Sequence, residues 1–238
     1  MTDVAASAFA KKNSVSASSK RRDLLELAIS YGLILLVVWT PRPWQKLLWW
    51  VAAGSIVIFT AMSFDGLKAM GLRTANFFRS LWVVGVALIV AAVAVLVAIW
   101  QGTLHIPATP ILFIETYCAY ALWAAVQQFL LQCFFLSRLL RLLPRERFAA
   151  VMAAGIFSIA HLPSPILTPI TLIWGFAACL IFLRYRNLYP LAMAHAILGI
   201  SIAITIPGHV DHNMRVGLGY LTYKHAHRPV TLPPIAKP

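Results

Sequence analysis

Apolar runs long enough to cross a bilayer recur along nearly the whole chain, and they constrain everything else. A membrane-spanning helix needs roughly 17–25 consecutive, mostly apolar residues. Segments at about 24–40, 44–64, 81–100, 111–140, 148–162, 166–183 and 190–206 supply seven candidates, the fifth of them short. Only 11% of the residues are charged, and there are just seven Asp and Glu in the 238-residue chain. A soluble domain carries about 25% charged residues, so no water-facing surface can be built here. In hydrocarbon each backbone polar group must be satisfied within its own segment, which leaves the helix as the conformation for such runs. The expected fold is an all-α, polytopic transmembrane helical bundle of about seven spans, with a weakly apolar eighth left open.

The ends differ from the middle. Residues 1–22 are Ala/Ser-rich and finish in "KKNSVSASSKRR"; with no apolar core they are not a cleavable signal peptide and read as a disordered basic tail. Residues 23–206 form the transmembrane domain, and 207–238 a polar, Pro-rich tail. The stretch "DGLKAMGLRTANFFRS" (65–80) alternates apolar and basic residues, as a segment lying on a membrane surface would. The fourth run, 111–140, would be about 45 Å long as a straight helix. That exceeds the roughly 30 Å hydrocarbon core, so it must tilt, break or protrude.

The net charge of +13 is distributed between the spans rather than along one face, which argues against nucleic acid as a partner. With seven spans, 14 of the 20 basic residues fall on the same side as the N-terminus: those at 11–22, 68–79, 138–147 and 184–186. The positive-inside rule then sets a cytoplasmic N-terminus and an integral protein of the cell (plasma) membrane. The three cysteines, Cys118, Cys133 and Cys179, lie inside apolar runs and read as small packing residues rather than a disulfide framework.

Strongly polar residues inside such spans are functional candidates by default. They are Glu26, Glu115, Gln127, Gln128, Gln132, His161 and His195. Glu26 lies one turn into the first span near Lys20–Arg22 and reads as an interfacial ion pair. Glu115 is twelve residues from Gln127, about 18 Å along a straight helix, too far to act beside it. The three amides could simply join helices by hydrogen bonds of roughly 0.6–2 kcal/mol each. His161 ("FSIAH") and His195 ("HAILG") add polar groups from two further helices. Three helices offering polar groups to one interior, in the inner half or middle of the membrane, is what an intramembrane hydrolase needs. Elsewhere "HVDH" gives His209, Asp211 and His212, followed by His225 and His227; the spacing matches no standard zinc signature and reads as a polar loop beside the membrane. No metal or other cofactor is expected.

In order and spacing, "QQFLLQ" (127–132), "FSIAH" (157–161) and "HAILG" (195–199) resemble the CPBP family, the CAAX-protease and bacteriocin-processing intramembrane endopeptidases. The likeness covers about residues 105–206. Members carry Glu-Glu-x-x-x-Arg, then Phe-x-x-x-His, then His-x-x-x-Asn or Asp. Here Gln127 and Gln128 stand for the glutamates, Gln132 for the arginine and Gly199 for the final Asn or Asp, while Phe157, His161 and His195 are kept. The resemblance implies peptide-bond hydrolysis in the membrane, with the first glutamate as general base and the histidines and Asn assisting at water and oxyanion. A carboxamide cannot take a proton at working pH, so Gln127 can orient a water but not activate it. The changes are nevertheless coordinated. Losing a glutamate alone would strand the arginine as an unpaired charge in apolar surroundings, and the arginine is gone too.

Two readings follow. Either a variant intramembrane endopeptidase uses Gln127, Gln128, His161 and His195, supported by Gln132, Phe157 and Gly199, on membrane-embedded or prenylated-type protein substrates. Or a catalytically silent relative binds peptide or lipid-like ligands. A transporter would call for a paired broken-helix repeat, and none is present.

Overall fold

In a computed structural model, residues 17–223 are described, and every apolar run above lies on helix. The order is α1 (Ala17–Trp39), α2 (Arg42–Met62), α3 (Phe77–Ser80), α4 (Trp82–Gln101), α5 (Pro110–Phe129), a π-helical segment (Leu130–Leu136) and α6 (Ser137–Leu142). Then come α7 (Glu146–Ile159), α8 (Leu167–Tyr185), α9 (Tyr189–Thr205), α10 (Gly208–Asp211) and α11 (Gly217–Leu221). The all-α bundle is as the sequence implies. Among the described residues, four helical stretches are long and apolar enough to cross a membrane: Arg42–Met62, Phe77–Gln101, Pro110–Leu142 and Leu167–Tyr185. Tyr189–Thr205 is a shorter apolar helix. The chain is an integral membrane protein, and the large apolar side chains exposed along α2 and α4, among them Trp50, Leu88, Ile89 and Trp100, present a surface suited to lipid.

Helices α1 and α2 pair as a hairpin, α7 packs on α8, and α9 lies between α4 and α5. Small residues permit the closest of these approaches. Ala149, Ala150, Ala153 and Ala154 on α7 are fully buried. Opposite them Gly175 has so little room that a Cβ would meet the Phe157 ring at 3.2 Å and the Ala154 backbone at 3.4 Å. Without a hydrophobic drive between helices in lipid, such backbone-to-backbone packing is what holds them together.

The fourth run neither breaks nor simply tilts. It is one continuous helix whose second half dives through the centre of the bundle. Leu131 to Leu136 are all buried, in the π-helical segment that packs against α7 and α8 as well as its own flanks. A wider turn rotates the faces on either side, so no lipid-facing stripe survives there. Arg138 follows and is buried rather than a loop residue. Its guanidinium meets Glu26 at 2.7 Å, the Phe59 carbonyl oxygen at 3.1 Å and the Phe134 ring at 3.7 Å. Glu26 is therefore not chiefly an interfacial partner of the 20–22 cluster, since Arg22 approaches it only to 3.5 Å.

The bundle has two unlike ends. At one, Arg141 holds Asp23 bidentately at 2.7 and 2.8 Å, and the 65–76 segment docks onto the 186–188 turn. Sequence alternation puts 65–80 on a membrane surface, yet Met70 is buried and only Phe77–Ser80 is helical. Gly71 permits this docking: at φ +70° it abuts the Arg186 carbonyl, and a Cβ would strike the Phe182 ring. At the other end, His105 N–H donates to the Ile204 carbonyl, and Gly217 N–H to that of Leu162. Helix α1 begins at Ala17, within the stretch read as an N-terminal tail, and residues 208–223 fold back against α1. His225 and His227 lie outside the described residues.

Candidate active site

Helix α5 carries Gln127 and Gln128 on its last turn, and their 100° offset sends the two amides to different surroundings. Gln127 is half-buried and lines a cavity of about 680 Å³; Gln128 is fully buried beside it. Four residues on, Gln132 occupies the same helix face, and its Nε2 donates to Gln128 Oε1 at 3.2 Å. That bond orients the Gln128 amide so that its Nε2 points at His195 Nδ1, 3.1 Å away on α9. An amide nitrogen can only donate, so His195 Nδ1 accepts and the proton of its neutral imidazole sits on Nε2.

His161 has the opposite arrangement. It stands in the turn just past α7, and its Nδ1 lies 2.7 Å from the Phe157 carbonyl oxygen. A carbonyl can only accept, so Nδ1 carries the proton and Nε2 keeps a free lone pair. The Phe157 ring lies between the histidines, 4.8 Å from the His161 ring and 5.9 Å from that of His195, edge-on to both. Both imidazoles line the cavity.

Gln127, His161 and His195 thus share one cavity, with Phe157 and Gly199 in its wall, while Gln128 and Gln132 act behind His195 rather than in the open space. Gln132 Oε1 has no hydrogen-bond partner among the described residues. Glu115 is exposed on α5 and does not reach the cavity; its neighbours Thr116 and Tyr117 do. Among the described residues no carboxylate lines the cavity, whose wall is overwhelmingly apolar. Its volume falls in the range of small-molecule and peptide sites, roughly 300–1,000 Å³. It occupies the middle of the bundle and the half nearer the 206–216 end, away from the Arg141–Asp23 end.

Three wall residues escape the sequence reading. Tyr120 precedes Gln127 by seven residues and so shares its helix face, a periodicity that marks it in the sequence. Trp174 on α8 lies 6.1 Å from the His195 ring, its buried indole N–H without a partner among the described residues. Asn213 comes from the tail, turned inward by three successive left-handed residues, His212, Asn213 and Met214, with φ near +55°. His212 and Asn213 are types that enter the left-handed region more readily than most, but Met214 is not, and nothing in the sequence marks three in succession. The neighbouring "HVDH" groups are otherwise engaged: Asp211 Oδ1 accepts from Asn213 N–H, and His212 stacks on Tyr220. Cys133 and Cys179 are buried packing thiols as expected, whereas Cys118 is exposed on α5.

Residues 109–201 match the family model described as Type II CAAX prenyl endopeptidase Rce1-like. The match spans α5 through most of α9 and so contains the three amides, both histidines, Phe157 and Gly199. No curated protein and no solved structure matches the chain.

Proposed function

Because the chain belongs to the CPBP family through its Rce1-like region, residues 109–201, we propose that it is an intramembrane endopeptidase that has moved the basic role from carboxylate to histidine. The observation that carries this reading is the opposite hydrogen bonding of the two imidazoles, His195 Nδ1 facing the Gln128 amide nitrogen and His161 Nδ1 facing the Phe157 carbonyl oxygen. His161 offers a lone pair at Nε2, and His195 offers an N–H there. In the proposed reaction His161 Nε2 takes a proton from a water that Gln127 orients. The water oxygen bonds to the scissile carbonyl carbon, and the C=O pair moves onto oxygen, where His195 Nε2–H donates to it. When that pair returns, the C–N bond breaks and the imidazolium proton of His161 passes to the departing amine. A positioned general base supplies about 10²–10⁴-fold in such steps.

The substrate class is a membrane-embedded peptide, prenylated-type chains included, which suits an apolar cavity inside a bundle. The Lys and Arg gathered at the Arg141 end favour a cytoplasmic N-terminus and a plasma-membrane protein. In that orientation the cavity lies in the middle and outer half of the bilayer, not in the inner half that the sequence reading allows, because its lining runs from Gln127 and His195 to Asn213 and Val216. Reporter fusions at residue 20 and in the 143–145 loop should read cytoplasmic, and one at residue 105 external; the reverse pattern overturns the orientation.

The decisive assay uses the full chain in nanodiscs with a quenched-fluorescent prenyl-cysteine peptide and a peptide of the same length without the lipid. His161→Ala should reduce kcat about 10²-fold or more, and native activity should fall on acidification, as protonation removes the Nε2 lone pair of His161. One observation favours the second reading, a silent ligand-binding relative: among the described residues no Asp, Glu, Lys or Arg side chain lines the cavity. That reading holds if native and His161→Ala proteins bind the peptides equally and neither cleaves them.

A further inference from the structure

Gly199 stands one helical turn beyond His195 on α9, where the family motif would carry an Asn or Asp side chain. The space a side chain would need is already filled. A Cβ built at Gly199 would fall onto the hydroxyl of Tyr120, with the ring atoms Cζ and Cε1 next nearest. The phenol thus crosses from α5 and ends against the α9 backbone at the turn after His195. Both residues line the same cavity. Tyr120 makes no hydrogen bond among the described residues, although a phenolic O–H in apolar surroundings ordinarily finds a partner. Its packing also explains the glycine, since any larger residue at 199 would displace the ring.

We infer that the Tyr120 hydroxyl is the hydrogen-bond donor to the substrate carbonyl oxygen at the position where Gly199 offers no side chain. The inference rests on the hydrolytic reading above and deepens it. Two donors then converge on one oxygen: His195 Nε2–H from α9 and Tyr120 O–H from α5. An amide or phenol donor is equally able to stabilise developing negative charge on oxygen, provided it is fixed before the charge appears. Tyr120 is fixed by the helix pair it bridges, because α5 and α9 pack along their length.

The test compares native and Tyr120→Phe proteins, full chain in nanodiscs. Tyr120→Phe keeps the ring and its packing on Gly199 and removes only the O–H, so thermal stability should stay unchanged. Turnover of the quenched-fluorescent prenyl-cysteine peptide should show kcat lowered on the order of 10²-fold with KM little altered, as for loss of a donor used in the transition state. The double variant Tyr120→Ala/Gly199→Asn, which moves the donor back to α9, should recover part of that loss. A second readout does not need turnover: the infrared carbonyl stretch of a 13C-labelled peptide ketone bound in the cavity should lie lower in the native protein than in Tyr120→Phe. Cleavage by native protein with an unaltered kcat in Tyr120→Phe overturns this inference and leaves the protease reading standing. No cleavage by native protein, with a carbonyl shift that Tyr120→Phe abolishes, overturns the protease reading and leaves the donor assignment standing. No cleavage and no shift overturns both.

Discussion

The two ends of the bundle solve the same problem in opposite ways. Both place polar side chains in surroundings that cannot hydrate them. At the basic end the groups are ionised and paired: Arg138 with Glu26, and Arg141 with Asp23, each carboxylate almost wholly buried. At the cavity end no Asp, Glu, Lys or Arg among the described residues faces the space, and the Gln132–Gln128–His195 chain is built of amide and imidazole hydrogen bonds. A buried charge is tolerable only while its partner stays in place, so the ion pairs tie α1 and α2 to α6 and allow no rearrangement. Neutral amides can lose or exchange a hydrogen bond at about 1–3 kcal/mol, which suits a region that must admit a substrate. The family's charged Glu-Glu-Arg cluster would have put the first kind of construction at the second kind of place. This chain separates them: charges fix helices at one end, and neutral amides and imidazoles line the cavity at the other.

That separation breaks most severely at Arg138. Arg138→Ala leaves buried Glu26 with only the half-exposed Arg22 at 3.5 Å and the Ser63 hydroxyl at 3.3 Å, which should cost up to about 3–5 kcal/mol and lower the unfolding temperature in detergent steeply. The paired change Arg138→Met/Glu26→Leu removes both charges and should restore stability to near the native level. If the single and double variants are equally unstable, the pair is not what fixes α1 to α6.

A smaller effect is expected at the other end. Gln128→Leu strips the partner from His195 Nδ1 and the acceptor from Gln132, and should cost about 1–3 kcal/mol. Its larger consequence is chemical, since His195 is then free to adopt either tautomer. Under the proposed mechanism this lowers kcat on the same peptide, because the Nε2–H that donates to the substrate oxygen is no longer held in place. A Gln128→Leu protein with native kcat would mean that the amide chain is only structural, like the hydrogen bonds that join other membrane helices.

How legible this was in the sequence differs between the two ends as well. Helix positions followed from apolar run length alone, because lipid leaves the backbone no alternative. The grouping of Gln127, His161 and His195 around one cavity was readable because a polar residue in a span has few places to point. The division of labour among the glutamines was not, since it depends on 100° of helix rotation and on the bond from Gln132. The basic end was misread for a physical reason. Arg138 looks like a loop charge by hydropathy, and only the partner 112 residues earlier, Glu26, makes its burial affordable. Tyr120 opposite Gly199 lies between these cases. Its helical register with Gln127 is in the sequence, whereas the crossing of α5 and α9 that brings it to the glycine is a matter of packing.

The smallest expected effect concerns Trp174, and it sharpens the contrast from the neutral side. Its indole N–H is buried without a partner among the described residues, and its ring stands 6.1 Å from that of His195. The ion-paired end has an unpartnered buried atom of its own, Glu26 Oε1, on a carboxylate whose other oxygen binds Arg138. At the cavity end Trp174→Phe removes a donor that has nothing to donate to, so the desolvation cost of that group disappears with it. The volume lost borders an existing cavity, and so adds to open space rather than creating a new void within close packing. The two terms are of opposite sign, and stability should move by no more than about 0.5 kcal/mol, the range of substitutions that break no buried interaction. Peptide affinity is the more sensitive measurement, because a ligand carbonyl is the one partner that would give the N–H a use. A weaker Kd in Trp174→Phe with unchanged stability would add the indole to the substrate-holding groups. An unchanged Kd, together with a clear gain in stability, would make it an unsatisfied donor that the cavity end merely tolerates.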